Sequence, residues 1–128
     1  MTVIMWLAAI VAGTVHVVIF GMESVWWTTR AVRTRFRQSP EQAETTRVFA
    51  FNQGFYNLFL ALGTFAGLGA VLTGQSRVGW MFVAWNCFCM LGAAVVLAGS
   101  APGMRRGAVI QGAAPLLFLV LATLRWAT

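Results

Sequence analysis

Apolar residues run through this chain in four long blocks, and the polar residues fall mainly between them. Val3 to Trp27, Thr45 to Thr73, Val78 to Gly99 and Gly107 to Trp126 are each long enough to cross a hydrocarbon core as a helix. The pattern predicts an all-α membrane protein, a single four-transmembrane-helix bundle over residues 1–128. Arg30 follows the first block as a stop-transfer signal, and no convincing cleavage site is present, so that block reads as retained helix. Ser39-Pro40-Glu41-Gln42 is a helix start, with Ser as N-cap, Pro at the first helical position and Gln three after the cap. A helix unbroken from there to Thr73 would have about 34 residues and measure roughly 51 Å, against a core of about 30 Å. Its first two turns, with Glu41, Glu44 and Arg47, should therefore stand in water. Gly74-Gln75-Ser76-Arg77 and Ser100 to Arg106 read as turns, and Pro115 as a kink in the last span.

Composition strengthens this picture. The chain is 59% hydrophobic and 9% charged, where a soluble domain carries roughly 25% charged residues. Mean hydropathy is +0.78. The basic residues are all arginine, and their placement reads as topology. Arg30, Arg33, Arg35, Arg37, Arg47, Arg105 and Arg106 lie in the connections after the first and third spans, while only Arg77 and Arg125 lie at the opposite end. The bias puts those two connections in the cytoplasm and both termini on the outer side, in a multi-pass protein of the cell inner (plasma) membrane. Trp6, Trp80 and Trp126 would form the outer aromatic belt, Trp26 and Trp27 the inner one, and Trp85 lies deeper, as packing. No aromatic-interleaved basic platform is present, so nucleic acid is set aside as a partner. Cys87 and Cys89 point about 200° apart on a helix and make neither a redox pair nor a metal site. No metal ligand set and no cofactor are expected.

The candidate chemistry lies where polarity enters the apolar blocks. His16 and Glu23 are seven apart and share one face of a regular helix with Ala9, Ala12, Gly13, Phe20 and Trp27. Leu7, Ile10 and Val18 would face lipid. The stretch Asn52-Gln53-Gly54-Phe55-Tyr56-Asn57 puts amides and a phenol just inside the second span, in two i,i+4 pairs about 100° apart. An unpartnered amide in hydrocarbon costs roughly 2 kcal/mol or more. Gln111 enters about one turn into the fourth span, and Asn86 sits on the third. These groups should meet at one depth, in a polar pocket in the cytoplasmic half of the bundle. His16 and Glu23 are the candidate catalytic residues; Asn52, Gln53, Tyr56, Asn57, Gln111 and Trp27 are the candidate binding residues.

The order of these residues resembles the bacterial membrane-protein family known as domain of unknown function 1304. The resemblance is carried by His16, Glu23 with Trp27 and Thr28, Phe36, Ser39-Pro40-Glu41, Asn52-Gln53-Gly54, Tyr56-Asn57, Phe59-Leu60-Ala61, and Gln111 with Pro115. It covers nearly the whole chain and implies a small four-helix membrane protein, with no activity attached. Three functions compete. One is binding, with isomerisation or other conversion, of a small lipophilic molecule. A second is a small proton-coupled exporter using Glu23. The third is an accessory or scaffold subunit. Partners would be membrane lipids, the lipophilic molecule and, as an alternative use of the small-residue pairs Gly63/Gly67, Ala94/Ala98 and Ala108/Gly112, a second copy in a homodimer.

Overall fold

The computed structural model describes residues 1–127. Among them there is no strand, and four helical segments are long and apolar enough to cross a membrane. Helix α1 is Thr2–Phe20 and continues as a five-residue π turn, Gly21–Val25. Helix α2 is Arg30–Phe36, α3 Pro40–Leu72, α4 Ser76–Ser100 and α5 Arg105–Trp126, the last entered through a 3₁₀ turn at Pro102–Met104. The long helices alternate in direction. Going round the bundle the order is α1, α3, α4, α5, and α1 also closes against α5. Both termini therefore lie at one end, where the Arg125 guanidinium bonds the Thr2 hydroxyl. The arginine-rich connections lie at the other end, called the basic end below.

α3 begins as its sequence dictates. The Ser39 hydroxyl accepts the Gln42 amide at 3.2 Å, and the Gln42 side chain accepts the Ser39 amide at 2.9 Å. This reciprocal pair, with Pro40 at the first position, holds the start of a 33-residue helix. Such a helix is about 50 Å long, so about 20 Å of it, or roughly 13 residues, exceeds the hydrocarbon core. Glu41, Glu44 and Arg47 on its first turns are exposed.

Two apolar clusters hold the bundle. At the terminal end, Met5, Ala8, Ala9 and Ala12 of α1 meet Leu68, Trp80, Val83, Cys87, Met90, Phe118 and Ala122. At the basic end, Trp27, Val32, Ala43 and Ala50 tie α2 to α3. Small residues let the helices close up. Gly67 and Gly79 face each other, and a Cβ on Gly79 would stand 2.5 Å from the Gly67 carbonyl oxygen. Gly112 lies against Ala94, and Gly63 against the Asn86 amide. Of the small-residue pairs, Gly63, Gly67, Ala94, Ala108 and Gly112 pack inside the bundle, while Ala98 is half-buried.

Several expectations change. The polar connection between the first two spans holds a seven-residue helix, α2. Trp85 is exposed and stacks on Phe88 instead of filling the core. Trp80 is buried, edge-on to Trp6 and stacked with Phe118, so it serves as core.

Candidate functional site

The first span leaves the bundle through an irregular turn. The Trp26 amide donates to the Gly21 carbonyl at 2.9 Å, five residues back, which widens the last turn of α1. Gly21 permits this, because the Trp26 ring folds onto its Cα: a Cβ there would lie 2.6 Å from the indole. Trp27 then turns to the other side. Its indole N–H donates to the Ala43 carbonyl at 3.0 Å, and its ring meets Phe36 edge-on at 4.9 Å. Trp27 is thereby committed to joining α2 to α3.

Glu23 lies within the π turn. Asn57 of α3 donates to Glu23 Oε2 at 2.9 Å and, with its other amide hydrogen, to the Gln53 carbonyl at 3.1 Å. A primary amide has two donor hydrogens, and both are used here. The pair stands where α1 and α3 cross closely. The Ser24 hydroxyl donates to the Phe51 carbonyl at 2.8 Å, and a Cβ on Gly54 would strike that hydroxyl oxygen at 2.0 Å.

On the opposite flank of α1, Glu23 lines a cavity of about 230 Å³ between α1 and α5. Thr14, Val15, Val18, Ile19 and Met22 supply the α1 wall, Gly107, Ile110 and Gln111 the α5 wall, and Leu97 of α4 also contributes. Arg35 and Phe36 of α2, with Met104, line its basic end. The lining is mainly apolar, and Thr14, Glu23 and Gln111 are its polar groups inside the two walls. No group of three or more His, Cys, Asp or Glu that could hold a metal ion occurs among the described residues.

A family match accompanies this geometry: the family described as "Protein of unknown function (DUF1304)" matches residues 10–123. The chain belongs to that family. No curated protein and no solved structure matches it.

In this DUF1304 protein the expected site residues divide into two sets. Glu23, Asn57 and Gln111 come together around the end of α1. Asn52, Gln53 and Tyr56 do not join them. Asn52 is exposed and bonds the Val48 carbonyl of its own helix at 3.0 Å, Gln53 is exposed, and Tyr56 is 64% exposed. The Ser24–Phe51 contact turns the Ser24 side of α3 toward α1, and Asn52, Gln53 and Tyr56 lie on its exposed surface. His16 is 1% exposed in the bundle interior, and its Nδ1 donates to the Ala12 carbonyl at 2.9 Å. It does not line the α1–α5 cavity. The π turn removes the regular phase that would keep His16 and Glu23 on one stripe. Asn86 is buried and bonds its own Phe82 carbonyl at 2.9 Å. Sequence reading passed over Arg35, Met104 and Gly107 as cavity residues. Arg35 was counted among the topology arginines, and Phe36 appeared only within the family resemblance.

Proposed function

We propose that the α1–α5 cavity binds a small lipophilic molecule bearing an oxygen function. The Glu23–Asn57 hydrogen bond carries this reading. It holds one carboxylate oxygen on the α3 side of α1 while the same side chain borders an apolar cavity on the α5 side. A charged group in such surroundings costs a few kcal/mol and is kept mainly where it serves a ligand or ion. The Gln111 amide across the cavity can donate to a carbonyl or hydroxyl oxygen of the guest. Binding is favoured over conversion, because His16, the candidate acid or base, is outside the cavity wall. The arginine bias supports a basic end in the cytoplasm and termini outside, in the bacterial inner membrane.

Gly107 offers a clean test. It lines the cavity within α5, and a Cβ there meets only the end of Met104 at 3.6 Å, an ordinary contact. Gly107→Leu should fill the cavity while gaining about 1 kcal/mol of helix propensity. Mass spectrometry of lipophilic molecules extracted with the purified protein should find a species in wild type that is depleted in this variant. Equal content in both, with the variant folded, contradicts the reading.

A further inference from the structure

At its basic end the α1–α5 cavity adjoins a second cleft. Arg35, Met104 and Gly107 line both. The second cleft, about 280 Å³, adds Arg37, Gly103 and Arg106. One compartment is apolar, and the other presents three guanidinium groups and no carboxylate. All three arginines are exposed, and among the described residues the one ion pair is Arg47–Glu44 on α3. Like charges gathered without a counter-ion favour an anion between them.

The backbone supplies a second, independent observation. Arg37 ends α2 in the left-handed conformation, with φ 56°, the one non-glycine described residue to do so. Its amide donates to Thr34 at 3.3 Å and the Gln38 amide to Arg33 at 2.9 Å, the two bonds of a helix end that glycine ordinarily closes. The Arg37 head then lies over Gly103, with Nη1 2.9 Å from where a Cβ would stand. An arginine occupies the position that favours glycine, and a glycine makes room for its head. Neither choice is explained by packing of the apolar clusters.

We infer that the two clefts together hold one anionic phospholipid of the surrounding leaflet, with an acyl segment between α1 and α5, its ester carbonyl as the oxygen function that Gln111 meets, and the phosphate among Arg35, Arg37 and Arg106. The inference rests on the proposed reading of the α1–α5 cavity and names the class of its guest. At about 230 Å³ that cavity is smaller than the roughly 300–1,000 Å³ that encloses a whole drug-sized ligand. It suits part of one chain, with the remainder left in the bilayer. Val18 and Ile110, lining residues that are also exposed, leave that side open to acyl tails. Guanidinium forks match phosphate oxygens two at a time, and basic clefts between helix ends are suited to lipid headgroups. Glu23 lines the apolar cavity and not the basic cleft, so it does not confront the phosphate.

The test follows the thermal midpoint of the full chain in zwitterionic detergent, stripped of lipid. It is titrated with dioleoyl phosphatidylglycerol, with phosphatidylcholine of the same chains, and with inorganic phosphate. Phosphatidylglycerol should raise the midpoint and the other two should not. R35Q/R106Q should weaken its apparent affinity roughly 25-fold, at about fivefold per arginine. R30Q/R105Q removes the same charge outside the cleft and should leave the affinity unchanged. R37G should keep or raise the lipid-free midpoint while weakening phosphatidylglycerol about fivefold. Equal effects of the two lipids, both lost in G107L, would overturn the headgroup assignment and leave the cavity reading standing. A full shift with inorganic phosphate alone would make the cleft an ion site and overturn the lipid. Equal weakening by R30Q/R105Q would reduce the effect to diffuse surface charge and overturn the inference. Lipid shifts that persist undiminished in G107L would overturn the cavity reading itself.

Discussion

Among single residues, the sharpest dependence is that of Glu23 on Asn57. The Asn57 amide is buried and its two hydrogens are divided between the Glu23 carboxylate and the Gln53 carbonyl. Asn57→Ala removes the donor from both. Interhelical hydrogen bonds in membrane proteins contribute about 0.6 kcal/mol on average and up to about 1.7. Because this acceptor is a carboxylate beside an apolar cavity, the loss should fall near the upper value, about 1.5 kcal/mol. Glu23→Gln keeps an oxygen to accept the same bond and should cost less. Equilibrium unfolding of both variants in detergent checks the order; a Glu23→Gln chain less stable than Asn57→Ala would contradict it. His16 plays a different part. Its Nδ1 is bound to the turn below it, and its burial places it among the bundle's packing residues.

At the scale of elements, the close passage of α3 and α4 depends on absent side chains. A Cβ on Gly79 would meet the Gly67 carbonyl oxygen at 2.5 Å and the Val71 amide nitrogen at 2.7 Å. Both are backbone atoms that cannot rotate aside, so Gly79→Ala must push the helices apart. Overpacking of this kind typically costs 1–3 kcal/mol, and the expected loss is about 2 kcal/mol or more. Gly92→Ala, at a position with nothing within 4 Å, is the control and should be neutral or stabilising. Thermal midpoints of the two variants test this.

The same elements mark how far sequence reading reaches. Ser39, Pro40 and Gln42 announce the start of α3, and Leu7, Ile10 and Val18 announce the outer face of α1, because caps and hydrophobic stripes are local signals. Glu23 and Asn57 could be named as partners because a carboxylate and an amide at matching depth seek each other. Asn52, Gln53 and Tyr56 stay apart from the Glu23–Asn57 contact because the crossing of α1 and α3 leaves them on the exposed side of α3, and that crossing is not contained in the periodicity. The π turn was not legible either, since it depends on the Trp26 ring closing onto Gly21. Arg35 and Phe36 reach the cavity on α2, a helix that seven residues with three arginines do not advertise.

For the whole molecule, alternating helices bring both termini to one end and seven of the nine arginines to the other. The arginine bias predicts that Pro102 and Gly103 face the cytoplasm and Gln75 the outside. In a chain with Cys87 and Cys89 replaced by alanine, Gln75→Cys should react with a membrane-impermeant maleimide in intact cells. Gly103→Cys should react only after the cells are opened, and the reverse pattern would invert the topology. With that topology the basic-end cavity between α1 and α5 would face the inner leaflet.

If a lipophilic molecule reaches the Glu23 carboxyl from the α1–α5 cavity, dicyclohexylcarbodiimide, an apolar reagent that adds to carboxyl groups within membranes, should do so too. Peptide mapping of the labelled protein should find modification at Glu23, sparing Glu41 and Glu44 at the exposed start of α3, and strong suppression in Gly107→Leu. An unmodified Glu23, or equal labelling with the cavity filled, would contradict it.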